Sequence, residues 1–372
     1  MVEHSPQNTI AGWDFTPTEL SDAVHHAKML NPSIDLSNPC NLNCPYCFIE
    51  EKNSSRKLRK PNELTLDETL RVIDDLCAAG AETINIVGAG EPTIDPHFRA
   101  VVEHIYRSGL TTVLFTNAIA LASTQDLVDF LYASRVSVVV KVNSFVPELQ
   151  DLVAGRSGYA TKRDRALELL IDRSFTAHMP TRLGIDTLAF NGNLAELPKI
   201  HEWARRQHVF PIIADYIPTG RTDEGLFQGF AAIEHCEADI RARVVDVLSP
   251  ITNQQRAEIN RTLALIDERY GVERRKHCAY YSGGICTQLL GVYVDIEGNI
   301  WPCVARKSEY RGKLSSKALG NVRGGDLPSA VWRDHEYMEH IRRSFSGECP
   351  YKPSLPPRGT STLRPVSLMI VP

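Results

Sequence analysis

No run of apolar residues in the 372-residue chain is long enough to span a bilayer. The N-terminus, Met-Val-Glu-His-Ser-Pro-Gln, lacks the basic-then-apolar order of a signal peptide. An excess of positive charge is missing too: 41 Lys and Arg face 45 Asp and Glu, a net charge of −4. Nothing therefore recommends nucleic acid or another polyanion as a partner. No internal repeat stands at a solenoid period. Zinc sites usually draw four ligands from paired C-x2-C knuckles, and the one at Cys44 and Cys47 has no second knuckle nearby. Nine cysteines are an odd number for a disulfide framework, and they cluster at 40–47 and 278–303 with Cys349 beyond. Metal ligation in a reducing cytoplasm suits that clustering better. Cys77 and Cys236 fall in helical patterns and read as plain thiols. The expectation is a cytoplasmic protein with no membrane or nucleic-acid partner.

What is present centres on residues 35–50, Asp-Leu-Ser-Asn-Pro-Cys-Asn-Leu-Asn-Cys-Pro-Tyr-Cys-Phe-Ile-Glu. Cys40, Cys44 and Cys47 stand in C-x3-C-x2-C spacing, in a loop broken by Pro39 and Pro45. A loop can wrap three thiolates around one soft-metal centre. If that centre is a cubane of four irons, one iron keeps no protein ligand and a small molecule can chelate it. A structural zinc loop and three reduced core thiols are the plainer alternatives.

From Ser33 the chain alternates strand and helix patterns. Strands are predicted at 34–36, 83–87, 112–115, 136–142, 182–189 and 210–216, and helices at 65–79, 97–108, 123–133, 163–173 and 194–207. This is the signature of a parallel sheet with helices outside. Six strands in about 180 residues fit a partial α/β barrel better than an eight-fold one. A helix over 18–30 is expected to lie on the outside. Residues 226–275 read as helices broken at Pro250, 290–301 as a β-hairpin with a Glu-Gly-Asn turn, and 353–372 as an irregular tail. The expected divisions are a 1–30 helical extension, a 31–225 barrel, a 226–275 helical linker and a 276–372 C-terminal domain.

Ligands of parallel α/β sheets bind at the carboxyl ends of the strands. The first tip carries the cysteines. The second carries Gly88-Ala89-Gly90-Glu91-Pro92, whose glycines allow close approach and whose backbone and Glu91 can receive an amino group. The third carries Thr116 and Asn117, the fourth Asn143 and Ser144, and the last Pro218-Thr-Gly-Arg221. Arg182, where the fifth strand region starts, can pair with a carboxylate.

The three-cysteine loop followed about forty residues later by a Gly-Glu-Pro turn resembles the radical S-adenosylmethionine superfamily. The resemblance covers residues 33–222 and implies the following. Cys40, Cys44 and Cys47 hold a [4Fe–4S] cluster, and the amino and carboxylate groups of S-adenosylmethionine chelate its fourth iron. Tyr46 matches the aromatic residue whose backbone region contacts adenine. Ala89, Gly90, Glu91 and Pro92 match the family's Gly-Gly-Glu-Pro turn, with Ala89 replacing a glycine. Asn143 or Ser144 holds the ribose, and Arg182 the carboxylate; Asn117 lies at the same end. The implied reaction is reductive cleavage to a 5′-deoxyadenosyl radical, which takes a hydrogen atom from the substrate.

Cys278, Cys286, Cys303 and Cys349 resemble the auxiliary-cluster extension of the SPASM/Twitch subgroup, with one auxiliary [4Fe–4S] cluster; a zinc site built from the same four is the alternative. Tyr280, Tyr281, Asp295 and Glu297, near the hairpin, are candidate bases or shuttles. The leading expectation is oxidation or epimerisation of a small biosynthetic substrate. The second is a peptide- or protein-modifying enzyme, and the third a non-catalytic iron–sulfur electron carrier. A flavodoxin or ferredoxin is the expected electron donor.

Overall fold

The computed structural model describes residues 9–13, 15–47, 49, 58–215, 244, 246–272, 290–306, 308–310, 313–315 and 317–343. Tyr216, Pro218–Arg221, Cys236, Cys278, Tyr280, Tyr281, Cys286, Cys349 and the tail at 353–372 lie outside the described residues.

Six parallel strands run in sequence order: β1 (Ser33–Ile34), β2 (Thr83–Ile86), β3 (Thr111–Thr116), β4 (Ser137–Lys141), β5 (Leu183–Ala189) and β6 (Phe210–Asp215). The helices are α1 (Pro17–His25), α2 (Leu66–Ala78), α3 (Phe98–Arg107), α4 (Gln125–Ala133), α5 (Pro147–Ala154), α6 (Tyr159–Asp172) and α7 (Leu197–Arg206). Further along come α8 (Asn253–Arg269), the strands β7 (Tyr293–Val294), β8 (Asn299–Trp301), β9 (Ser308–Tyr310), β10 (Lys313–Ser315) and β11 (Gly320–Asn321), and the helices α9 (Pro328–Asp334) and α10 (Glu336–Arg343). The expected α/β fold, a partial six-stranded barrel followed by a hairpin, is what the chain forms.

Local chemistry sets the helix starts. Thr65 and Glu68 close a capping box on α2, and Thr16 and Glu19 do the same on α1, where Pro17 occupies the first turn. In α2 the apolar residues Val72, Ile73 and Leu76 face the sheet. The helix α5 stands where no helix was predicted; Pro147 begins it and Gly155, at φ +62°, ends it.

The C-terminal hairpin joins the barrel sheet. β7 pairs in parallel with β1, and β8 and β11 extend the same sheet beyond it by antiparallel pairing. Strand β1 is thus hydrogen-bonded on both edges, to β2 and to β7.

Alternation along the strands separates two faces. Leu114, Val138, Val140, Leu183 and Ile185 belong to the outer core, with Val102, Leu131 and Leu170 from the helices. The inner face carries Val113, Val139, Phe210 and Ile212. Ile10 packs in one cluster with these four, with Trp13 and Phe115 at the margin. Residues 10–13 therefore lie on the inner side of the sheet, a position that the expectation for the 18–30 helix did not cover. Trp13 Nε1 donates to Asn85 Oδ1 at 3.0 Å, and Ser137 Oγ donates to the Ala11 carbonyl at 2.8 Å. Helix α1 is shorter than expected, because the chain turns at Ala27 (φ +50°) and then follows Leu290.

Candidate functional site

The three cysteines lie just beyond the carboxyl end of β1, on a loop held from several directions. Gly90 N donates to Ser37 O at 2.9 Å and Glu91 N to Pro39 O at 2.8 Å, so the second strand tip clasps the start of the loop. Asn43 N donates to the Ala154 carbonyl at the end of α5, at 3.1 Å. Asn117 Nδ2 donates to Asn41 Oδ1 at 2.7 Å, and Arg156 Nη1 donates to the Asn41 carbonyl at 2.6 Å. Asn38 N donates to Glu63 Oε1 at 3.1 Å.

Two glycines permit this packing. A Cβ on Gly90 would stand 1.9 Å from the Pro39 oxygen, and one on Gly155 would stand 2.2 Å from the Asn43 oxygen. Both distances lie far inside van der Waals contact, so each position needs glycine.

The thiols are half-buried and face different neighbours. Cys40 and Cys44 pack with Leu42, Ile119, Ala154 and Tyr159, and Cys47 with Ile49, Ala89 and Ile296. Removal from water, then the nearby charges of Cys47 and Cys40, push the Cys44 thiol up to about 12. Three thiolates this close repel one another unless a cation neutralises them, which is the electrostatic requirement of a metal-binding loop. Among the described residues, no group of three or more His, Cys, Asp or Glu side chains is arranged to hold a single metal ion. A cubane takes each cysteine on a different iron and spreads its ligands more widely than one zinc does, so the loop fits the cluster better.

Around this loop the predicted residues divide. Asn117 belongs to the site by its bond to Asn41. Tyr46 is there too: its hydroxyl bonds Cys44 and accepts from Asn143 Nδ2 at 2.8 Å, and burial holds its phenol well above the usual range. Ala89 and Pro92 are buried in the turn. Glu91 is differently employed from the expectation. Its Oε1 accepts from Thr116 and Thr93, its Oε2 from Asn117 N, and burial raises its carboxyl despite these bonds. That carboxylate ties the turn to the tip of β3.

Other candidates are engaged by partners within the chain. Asn143 and Ser144 are fully buried. Gln150 Oε1 accepts both their N–H groups, at 2.8 and 2.9 Å. Asn143 Oδ1 accepts from Leu188 N, and Ser144 Oγ donates to Glu196 Oε1. They brace the loop beneath the rim. Arg182 precedes β5 and so lies at the amino end of that parallel strand, away from the cysteines. Its guanidinium donates to the Tyr132 carbonyl and stacks on Tyr132 and Phe175. One arginine found at the cysteine loop is Arg156, which follows the α5 cap; the position of α5 could have signalled it.

At the hairpin, Asp295 anchors the turn. It accepts from Glu297 N, Asn299 N, Asn299 Nδ2 and Trp301 Nε1, so it is an internal brace and no poised base. Glu297 is half-buried on the same turn. Cys303 follows β8 and is half-buried. A group the sequence reading missed links hairpin and loop: Tyr293 on β7 donates to Asp35, and Arg306 Nη2 donates to the Tyr293 hydroxyl at 3.1 Å. Burial, then the Asp35 charge, holds the Tyr293 phenol well above its ordinary range.

On the inner face of the sheet, Lys141 and Asp186 stand opposite one another in register on β4 and β5, with Lys141 Nζ 2.7 Å from Asp186 Oδ2. The Lys141 ammonium lies 5.4 Å from the centre of the Tyr46 ring.

A partial barrel with a three-thiol loop at the carboxyl end of its first strand defines an iron–sulfur radical enzyme. The Radical SAM superfamily model matches residues 34–189, which run from β1 to the end of β5. The AdoMet-dependent heme synthase of Methanosarcina barkeri is 30% identical over 340 residues, 86% of this chain and 87% of that protein. The PqqA peptide cyclase of Rhodopseudomonas palustris is 25% identical over 319 residues, 83% of this chain and 74% of that protein. Among solved structures, Streptococcus suis SuiB bound to its precursor peptide SuiA shares the fold, with TM-score 0.59 at 15% identity over 87% of this chain and 70% of that one. Native anSMEcpe with bound AdoMet gives TM-score 0.56 at 17% identity over 84% and 82% of the two chains. The chain belongs to the radical SAM superfamily. Its cofactors are S-adenosylmethionine and a [4Fe–4S] cluster. Among the described residues, no helix is long and apolar enough to cross a membrane.

Proposed function

We propose that this chain is a peptide-modifying radical SAM enzyme with a SPASM/Twitch-type auxiliary iron–sulfur centre. The observation that carries the reading is the similarity to PqqA peptide cyclases, which extends over 83% of the chain and so takes in far more than the 34–189 core. This reverses the order of the first two expectations. The heme synthase match at 30% identity keeps a second reading, oxidation of a small molecule.

In this reading Cys40, Cys44 and Cys47 hold the cluster. With S-adenosylmethionine, the cluster supplies one-electron cleavage and thus a radical able to remove hydrogen from a C–H bond. The chain's own residues orient and enclose. The backbone of 88–91 receives the methionyl amino group, and Tyr46 borders the adenine. Asn117 and Arg156 fix the loop through Asn41. Arg156 is an arginine at this end, where Arg182 is not. Cys278, Cys286, Cys303 and Cys349 are the proposed auxiliary ligands, with Glu297, Tyr280 and Tyr281 beside them; a flavodoxin or ferredoxin is the proposed donor.

Anaerobic reconstitution followed by dithionite and S-adenosylmethionine should yield 5′-deoxyadenosine, and the triple Cys40/Cys44/Cys47→Ala variant should yield none. That variant should retain about four irons, the content of one auxiliary cluster. A variant with no residual iron sinks the auxiliary centre. Cleavage-competent enzyme that transfers deuterium to 5′-deoxyadenosine from a labelled small molecule and from no peptide favours the second reading.

A further inference from the structure

We propose that Lys141 and Asp186 are the substrate-reading pair of this enzyme, taking the N–H and C=O that one residue of an extended peptide presents along one edge. The assignment rests on the peptide-modifying reading.

The inner face of the sheet is apolar where Ile10, Val113, Val139, Phe210 and Ile212 meet. Two residues beyond Val139 on β4, and two beyond Gly184 on β5, it becomes charged at Lys141 and Asp186. Placing two charges in a half-enclosed space is costly, and a lone pair of this kind gains little stability for a fold. Their hydrogen-bonding capacity is also underused. An ammonium has three donors and a carboxylate accepts on both oxygens. Among the described residues, the Lys141 ammonium makes one hydrogen bond, to Asp186 Oδ2, and Asp186 Oδ1 accepts none. The two side chains remain 18% and 24% exposed. Glu91 and Asp295 differ, since each has both oxygens engaged.

Position gives this spare capacity a use. Lys141 faces the Tyr46 ring, and the Tyr46 hydroxyl bonds Cys44. A group seated on the pair therefore lies one side chain from the cysteine loop, where a C–H bond must sit to meet a radical. The pair offers a donor and an acceptor side by side. Each residue of an extended chain presents its N–H and C=O on the same edge, so they fit Asp186 Oδ1 and the Lys141 ammonium together. Such main-chain contacts give affinity without fixing sequence.

The test uses a random-peptide library displayed on its encoding RNA and selected on the reconstituted full chain with S-adenosylmethionine. Affinities of the enriched peptides are then measured for wild type, for Lys141→Met/Asp186→Asn, and for the exchange Lys141→Asp/Asp186→Lys. The exchange keeps an ion pair, and so the fold, but reverses donor and acceptor. Both variants should bind the peptides at least about tenfold more weakly, and S-adenosylmethionine within about twofold of wild type. Peptides bound equally well by both variants overturn the pair's role and leave the peptide reading standing. A parallel loss of S-adenosylmethionine affinity assigns the pair to the cofactor and overturns it too. No enrichment on wild type removes the peptide reading itself, and the inference with it.

Discussion

On β3 to β6 the inner face changes character over a few residues. At one level Ile10, Val113, Val139, Phe210 and Ile212 pack into one apolar cluster. Towards the strands' carboxyl ends stand Lys141 and Asp186, then Tyr46 of the cysteine loop. The lower level is stabilised by burial and excludes water. The upper level keeps charges, polar tips and close backbone approaches such as Gly90 against Pro39, which lie outside this apolar cluster. Stability and chemistry thus occupy different heights of the same strands, as in other parallel barrels.

Three substitutions break or sharpen that contrast. Ile10→Ala truncates the residue that packs with β3, β4 and β6, and chemical denaturation should show a loss of about 2–5 kcal/mol. Its folded fraction should cleave S-adenosylmethionine at the wild-type rate; a stable but inactive protein would break the division. Gly90→Ala should give the opposite pattern. The added methyl must move the Pro39 backbone, at a cost of about 1–3 kcal/mol, and iron loading of the Cys40 loop should fall further than stability does. Glu68→Gln touches neither level. The hydrogen bond from Arg323 holds the Glu68 carboxyl down at about 2, from 4.5. A lowered carboxyl stabilises the fold above its unfolded value and loses that contribution as pH falls from about 4.5 to about 2. The pair is partly exposed, so wild type should exceed the variant by about 0–1 kcal/mol at pH 7, with the difference gone near pH 2.

The alternation of β-branched strands with amphipathic helices made β1 to β6 legible, and the cysteine spacing located the loop. What escaped depends on partners distant in the chain. Asn143 and Ser144 looked like open strand tips because Gln150 and Glu196, which bury and bond them, come from later helical segments. Segment 9–13 has too few residues for a periodic signal, so its place inside the barrel was invisible. Arg182 was avoidable: a residue that begins a parallel strand lies at the end opposite the ligands. Helix α5 carried a readable signal in Pro147 and Gly155, and with it Arg156 would have come into view.

The pairing of β7 with β1 bears on how the protein is made. Tyr293 and Asp35, whose side chains bond beside the cysteine loop, are 258 residues apart in the chain. Closing so long a loop is slow, and chains fold from the N-terminus as they leave the ribosome. During synthesis β1 can find β2 early, but its other edge stays open until residue 294 has emerged. The nascent chain therefore carries its three thiols on the loop after a strand that lacks one partner until late in translation.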